Sequence, residues 1–254
     1  MTLGLPLATI TAFLLVLARV AGLIAFFPLP VFRQAPGPVR AALTVTLTLA
    51  LFPVWPQLPN QLPTVAQLAT WAFAEAGLGL ATGLAIGFLV EGFQLAMQII
   101  GLQAGYGYAL TVDPSSQADA SILQVAMMLT SGMLFCVLGL DHRLLRVLAA
   151  SFEHFPAGAW APSAASLDGI VRLGGSMLVT GVRLALPIAA LLLLIDVALA
   201  LLGRMQQQLQ LLSLAFPAKM LATLALLAVL APMIPRLFSS AAERTMTALA
   251  RLLF

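Results

Sequence analysis

Charge is what this chain has least of. Asp, Glu, Lys and Arg together make up 8% of its residues, whereas a water-soluble domain carries nearer one quarter, so no stretch has a soluble domain's composition. A net charge of only +3 is also too little for a nucleic-acid surface. Cysteine is reduced to one residue, Cys136, which excludes an intrachain disulfide and a metal-binding cysteine pair. Placed in an apolar run, Cys136 is expected as a small core residue. The two histidines, His142 and His154, would point about 120° apart on one straight helix. H-E-x-x-H, Walker A and G-x-S-x-G motifs are all missing, and Ser151 with Glu153 and His154 is only a fragment of a triad. An enzyme is therefore the least supported class, and neither a metal nor a cofactor is expected.

Apolar residues take the space that charge leaves. They make up 61% of the chain, with a mean hydropathy of +1.05. Gly92 to Val112 and Ala120 to Leu140 carry no charge over the about 20 residues that a bilayer helix needs. Elsewhere Arg19, Glu75, Glu91, Arg183, Asp196 and Lys219 interrupt the runs. Such charges are expensive in lipid unless protein surrounds them, so the helices are expected to face mostly other helices. Of these, Arg19, Arg183, Asp196 and Lys219 are expected as buried charges, paired as Arg183 or Lys219 with Asp196 and Arg19 with Glu75 or Glu91. Met1 to Ala18 has no basic n-region, so the N-terminus is expected to be retained rather than cleaved.

Prolines and glycines set the breaks. A first helix is predicted from about Leu7 to Phe27, stopping at Pro28-Leu29-Pro30. Val39 to Phe52 follows; its apolar part spans roughly 18 Å as a helix, short of the about 30 Å hydrocarbon core, so a buried or re-entrant role is as plausible as a crossing. After a proline-rich link, Val65 to Ile100 reads as one stretch longer than a bilayer, which must bend, split or leave it. Further helices are predicted over Ile122 to Leu140, Arg143 to Phe155 with Asp141 as its cap, Val171 to Leu202 and Leu211 to Met233. The last two contain Pro187 and Pro217. Leu237 to Phe254 is amphipathic, with Phe238, Ala242, Leu249 and Leu253 on one face and Glu243, Arg244 and Arg251 on the other. Positive-inside counting assigns no simple topology. The expected architecture is a single all-α membrane domain over residues 1–254, with an N-terminal helical part to about 166 and a C-terminal hairpin and amphipathic tail from about 167.

Two constellations have chemical content. Glu75, Gly79, Gly83, Gly87 and Glu91 recur every fourth residue, which is one ridge of a helix. Three glycines on a ridge let another backbone approach closely. The ridge is expected as a helix-packing and assembly seam, with an acidic proton or cation path as the alternative. The second is Gly101, Gln103, Gly105, Tyr106 and Gly107, followed by Asp113 and Pro114. Glycine permits unusual backbone angles. The stretch reads either as an ordinary loop or as a pore-facing segment, since irregular backbone at membrane depth survives only inside protein or a wet cavity.

Taken in order, the segments resemble the FliR family of flagellar export-gate proteins, related to the SctT proteins of type III secretion. The resemblance is carried by FLLVLARVAG (Phe13 to Gly22), PGPVRAAL (Pro36 to Leu43), EAGLGLATGLAIGF (Glu75 to Phe88), GLQAGYGYALTVDPSS (Gly101 to Ser116), LDHRLLRVLAASFEHFP (Leu140 to Pro156) and the C-terminal RLALPIAALLLLIDVALALLGR and FPAKM. Ala104 stands where that family usually has methionine, and Met205 to Leu212 departs from its usual Pro-Gln-Met-Asn-Ile-Phe.

The resemblance implies bent membrane hairpins packed in a hetero-oligomeric ring with FliP-like and FliQ-like subunits and an FlhB-like protein nearby. It implies a place in the bacterial inner membrane, within the flagellar basal body, and transient contact with exported unfolded proteins. One copy would close the ring, and residues 103–121 would plug the channel. The rival class is a proton- or cation-coupled transporter using Glu75, Glu91 and Asp196, with Pro187 and Pro217 marking broken helices.

Overall fold

The protein was analysed as a computed structural model, which describes residues 7–28, 35–56, 63–106, 122–156, 158–160, 164–205 and 211–253. Among these the regular structure is entirely helical: α1 (Leu7–Ala25), α2 (Gly37–Ala50), α3 (Val65–Ala104), α4 (Ile122–Val137), α5 (Leu140–His154), α6 (Ala164–Met205), α7 (Leu211–Leu230) and α8 (Ile234–Leu253), with short 3₁₀ turns at Phe52–Val54 and Ala231–Met233.

Local chemistry explains most ends. α1 gives out three residues before Pro28, and Arg40 from α2 donates to the Ala25 carbonyl at 3.2 Å, satisfying one of its last acceptors. Pro38 lies in the first turn of α2, where its missing N–H costs nothing. Thr64 and Gln67 form a reciprocal capping box at the start of α3: the Thr64 N–H donates to Gln67 Oε1 at 2.9 Å, and the Gln67 N–H donates to Thr64 Oγ1 at 3.4 Å. α3 closes on Gly105, whose φ is +89°. The Tyr106 N–H returns to the Gly101 carbonyl and the Gly105 N–H to the Leu102 carbonyl, the pattern of a glycine C-cap. Asp141 does not cap α5 as the sequence suggested: Gly139, at φ +64°, occupies the cap position, and Asp141 lies inside the first turn. The left-handed turn bends α4 and α5 by 65°.

Four helical stretches are long and apolar enough to cross a membrane among the described residues: Leu7–Ala25, Val65–Ala104, Ser166–Arg204 and Ala215–Arg251. α4 and α5 would make a fifth if they count as one broken span. α3 does not split, despite its 40 residues and a length of about 60 Å. α2 presents little but Thr44 and Thr48 to the interior, and at 14 residues it is about 21 Å long.

Packing divides the chain into two compact units. One draws on Met1–Leu89, Phe135–Gly174 and Ala242–Phe254, and the other on Val90–Leu134 and Gly175–Ala241. α3, α4, α6 and α8 each contribute residues to both. The first unit's core is built from Leu15, Val20 and Leu23 of α1, Leu78 and Ala81 of α3, and Leu140, Leu144 and Leu148 of α5. The second unit's core holds Phe93 and Ile100 of α3, Met127 of α4, Ile188 and Leu192 of α6, and Phe238 of α8. There the Phe93 and Phe238 rings lie 5.1 Å apart. Cys136, expected in a core, is exposed, because it shares with Met133 and Val137 a side of α4 that the described residues leave open.

Candidate functional site

The ridge of Glu75, Gly79, Gly83 and Gly87 on α3 faces α1, and the contact is backbone on backbone. A Cβ at Gly79 would fall on the carbonyl oxygen of Arg19. One at Gly83 would stand 2.6 Å from the Leu23 carbonyl, and one at Gly87 3.2 Å from that of Phe26. α1 answers with Gly22, where a Cβ would press on the Ala76 carbonyl and the Leu80 nitrogen. No residue larger than glycine fits the middle of this seam without moving a helix.

Glu75 ends the seam in a buried polar cluster. Arg19 is 0% exposed and Glu75 1%, so both charges are out of solvent, and each is hydrogen-bonded within the chain. Arg19 Nε donates to Glu75 Oε2 at 2.5 Å, Nη1 to Ser151 Oγ at 2.9 Å and Nη2 to the Phe155 carbonyl at 3.3 Å. The guanidinium also lies over the Phe152 ring, 4.1 Å from its centroid. The second carboxylate oxygen of Glu75 accepts the Gly158 N–H at 3.0 Å. The Ser151 hydroxyl itself donates to the Leu148 carbonyl at 2.6 Å. A buried ion pair gains little net stability over an apolar pair, but breaking one side leaves an uncompensated charge that costs about 3–5 kcal/mol. The cluster therefore specifies which segments meet: α1, α3, the end of α5 and the turn after it. Gly158, at φ +75°, lies against Trp71, and Trp160 covers Gly77.

Sequence reasoning paired Arg19 with Glu75 or Glu91; the structure brings Arg19 to Glu75. Glu91 lies sixteen residues further along α3, about 24 Å by helical rise, half-buried in the second unit. Ser151, Phe155 and Gly158 were missed as partners. Ser151 had been weighed with Glu153 and His154, but those two side chains are exposed while Ser151 is turned inward to Arg19. A serine on the apolar stripe of α5, aligned with Leu144 and Leu148, was the available signal.

The second unit holds the described part of the glycine-rich constellation. Gln103 Nε2 donates to the Ala189 carbonyl of α6 at 2.9 Å, and the Tyr106 hydroxyl donates to the Met220 carbonyl of α7 at 3.2 Å. A Cβ at Gly105 would stand 2.7 Å from the Phe216 ring. Gly101 is buried. The end of α3 is thus tied to α6 and α7 near their prolines, Pro187 and Pro217. Gly107, Asp113 and Pro114 lie outside the described residues.

The same unit contains the pair of Lys219 and Asp196, with Nζ 2.9 Å from one carboxylate oxygen and 3.0 Å from the other. The Lys219 side chain is 12% exposed and that of Asp196 43%. Arg183 is not buried as the sequence suggested; among the described residues it is exposed. Among the described residues no group of three or more His, Cys, Asp and Glu side chains is placed to hold a metal ion. Arg19 with Glu75 and Lys219 with Asp196 are ion pairs between helices, and Arg183 stands apart from them.

Comparison with known proteins completes these observations. The family described as bacterial export proteins, family 1, matches residues 10–245. The flagellar biosynthetic protein FliR of Escherichia coli (strain K12) is 31% identical over 219 residues, 86% of this chain and 83% of that protein. The protein of the same name from Bacillus subtilis (strain 168) is 26% identical over 212 residues, 82% of this chain and 81% of its own length. That of Aquifex aeolicus (strain VF5) is 22% identical over 216 residues, 85% and 83% of the two chains.

Proposed function

Because the chain belongs to the FliR family of bacterial export proteins, a family of flagellar export components of the bacterial inner membrane rather than of enzymes, we propose that it is the pore-forming subunit that closes the ring of the flagellar type III protein export gate. In this reading it packs against FliP-like and FliQ-like subunits with an FlhB-like protein nearby. The stretch 103–121 contributes the plug, and unfolded export substrates pass through the ring. The observation that carries the proposal is the family match over nearly the whole chain, joined to a helix set that leaves its C-terminal spans largely uncovered. The windows in Ser166–Arg204 and Ala215–Arg251 are only 17% and 11% buried, which suits helices made to be covered by other subunits.

The anchoring of Gln103, Gly105 and Tyr106 on α6 and α7 supports the plug assignment, since a plug needs a fixed root. The transporter alternative draws less support. Glu75 is buried and spends both oxygens on Arg19 and Gly158, and Asp196 is paired with Lys219.

Coexpression with the membrane proteins encoded beside it, followed by purification and mass measurement, tests the assembly. The expected result is a complex containing FliP-like and FliQ-like chains; a stable monomer that carries a small solute across vesicles would reverse the assignment. Deleting residues 103–121 is expected to leave the complex assembled but leaky to ions. A tight, fully assembled deletion variant would remove the plug.

A further inference from the structure

α6 cannot cross a bilayer on apolar residues alone. Its charges are Asp168, Arg172, Arg183, Asp196 and Arg204, and the longest interval between them is Leu184 to Ile195. Those twelve residues rise about 18 Å, well short of the roughly 30 Å hydrocarbon core. A crossing over Leu173 to Ile195 places Arg183 at hydrocarbon depth, whereas one over Leu184 to Gly203 places Asp196 there, and a charge at that depth needs a partner. Arg172 pairs with Asp168 one turn away, and Asp196 is held by Lys219. Arg183 is exposed, and among the described residues no carboxylate pairs with it.

A second observation falls on the same ridge. Gly175, Val179 and Arg183 recur every fourth residue and so share a face. The neighbouring glycines are used inside the chain: Gly174 meets Phe88, and Gly181 meets the Gly92 carbonyl and Leu95. Gly175 has open space where a Cβ would stand. A helix-interior glycine weakens the helix, and facing lipid it gains nothing in return. Facing another helix it permits close approach. Val179, Val182 and Leu186 around it are exposed.

We propose that this face of α6 receives an apolar helix of another membrane subunit, and that a carboxylate on that helix pairs with Arg183. The inference rests on the export-gate reading and adds to it a recognition point. Gly175 sets the approach distance, Val179 and Leu186 fill the apolar contact, and Arg183 selects a partner that offers a negative charge at one depth. Lysine retains the charge but not the planar fork, so it supports the contact only in part.

The test uses the full chain coexpressed with the membrane subunits encoded beside it, comparing wild type with R183K, R183L, R183E and G175L. Because Arg183 is exposed and Gly175 faces open space, these variants are expected to integrate into the membrane as wild type does. Recovery of the partner subunits is expected to fall about tenfold or more in R183L and further in R183E, with R183K intermediate and G175L also reduced. A photoreactive side chain at Val179 is expected to crosslink to a subunit. Undiminished recovery with R183L and R183E, or a Val179 crosslink to lipid alone, as for an arginine reaching to headgroups, overturns this inference and leaves the export-gate reading in place. A wild-type chain that recovers no membrane subunit overturns both.

Discussion

The α1–α3 seam and the α6–α7 hairpin are built from the same kinds of residue and solve opposite problems. In the windows within Leu7–Ala25 and Val65–Ala104, 50% and 56% of residues are buried inside the chain; in those of Ser166–Arg204 and Ala215–Arg251, 17% and 11% are. The seam packs glycine against backbone and ends every charge on a partner within the molecule. The hairpin leaves Leu193, Leu194, Leu221 and Val229 outward and Arg183 exposed. The first region carries its own specificity, while the second depends on what surrounds it. The proposed assembly accounts for this difference, since its other subunits would cover the faces that the hairpin leaves open.

The contrast can be broken at three points, in decreasing order of effect. Replacing Gly79 by Leu puts a branched side chain where the Arg19 carbonyl stands, so α1 must leave α3. The chain is expected to fail to accumulate, as read by its level in washed membranes, and near-normal levels would show that the seam tolerates separation. Glu75→Ala strands the Arg19 guanidinium and is expected to cost about 3–5 kcal/mol, seen as a lower unfolding temperature in detergent and poorer assembly. Because the penalty comes from the orphaned charge rather than from losing the pair, R19L/E75L is expected to recover most of it. A double variant as unstable as the single one would mean that the contacts to Ser151 and Gly158 matter more than charge balance. Smallest is Val229→Ser on the exposed face of α7. It is expected to shift the stability of the isolated chain by about 0.5 kcal/mol or less while lowering recovery of partner subunits. A large drop in the isolated chain's own stability would place Val229 in a contact within the molecule.

Some of this was legible beforehand. The all-helical membrane class followed from hydropathy and missing charge, and the end of α1 followed from Pro28, whereas α3 runs past the expected Ile100 to Ala104 and α2 starts at Gly37, ahead of the expected Val39. The ridge from Glu75 to Gly87 was visible as a four-residue repeat, which is a local property of a helix. The Asp141 cap was misread because aspartate is a common N-cap, whereas Gly139 reaches a left-handed angle that ends one helix and starts another at a bend. The pairing of Arg19 with Glu75 rather than Glu91 could not be read from composition, since both acids stand on the same helix and only the crossing point of α1 separates them.

What the sequence determined by itself is therefore periodic and local: where helices run, where they break, which ridge is bare of side chains, and that its charges need shelter. What only the tertiary structure decided is which distant groups provide that shelter. Ser151, Phe155 and Gly158 surround Arg19, Lys219 takes Asp196, and Arg183 is left facing outward. The physical reason is that a helix's own hydrogen bonds are set by residues a few positions apart, whereas a charge in an apolar setting is satisfied only by whatever atoms packing brings within about 3 Å.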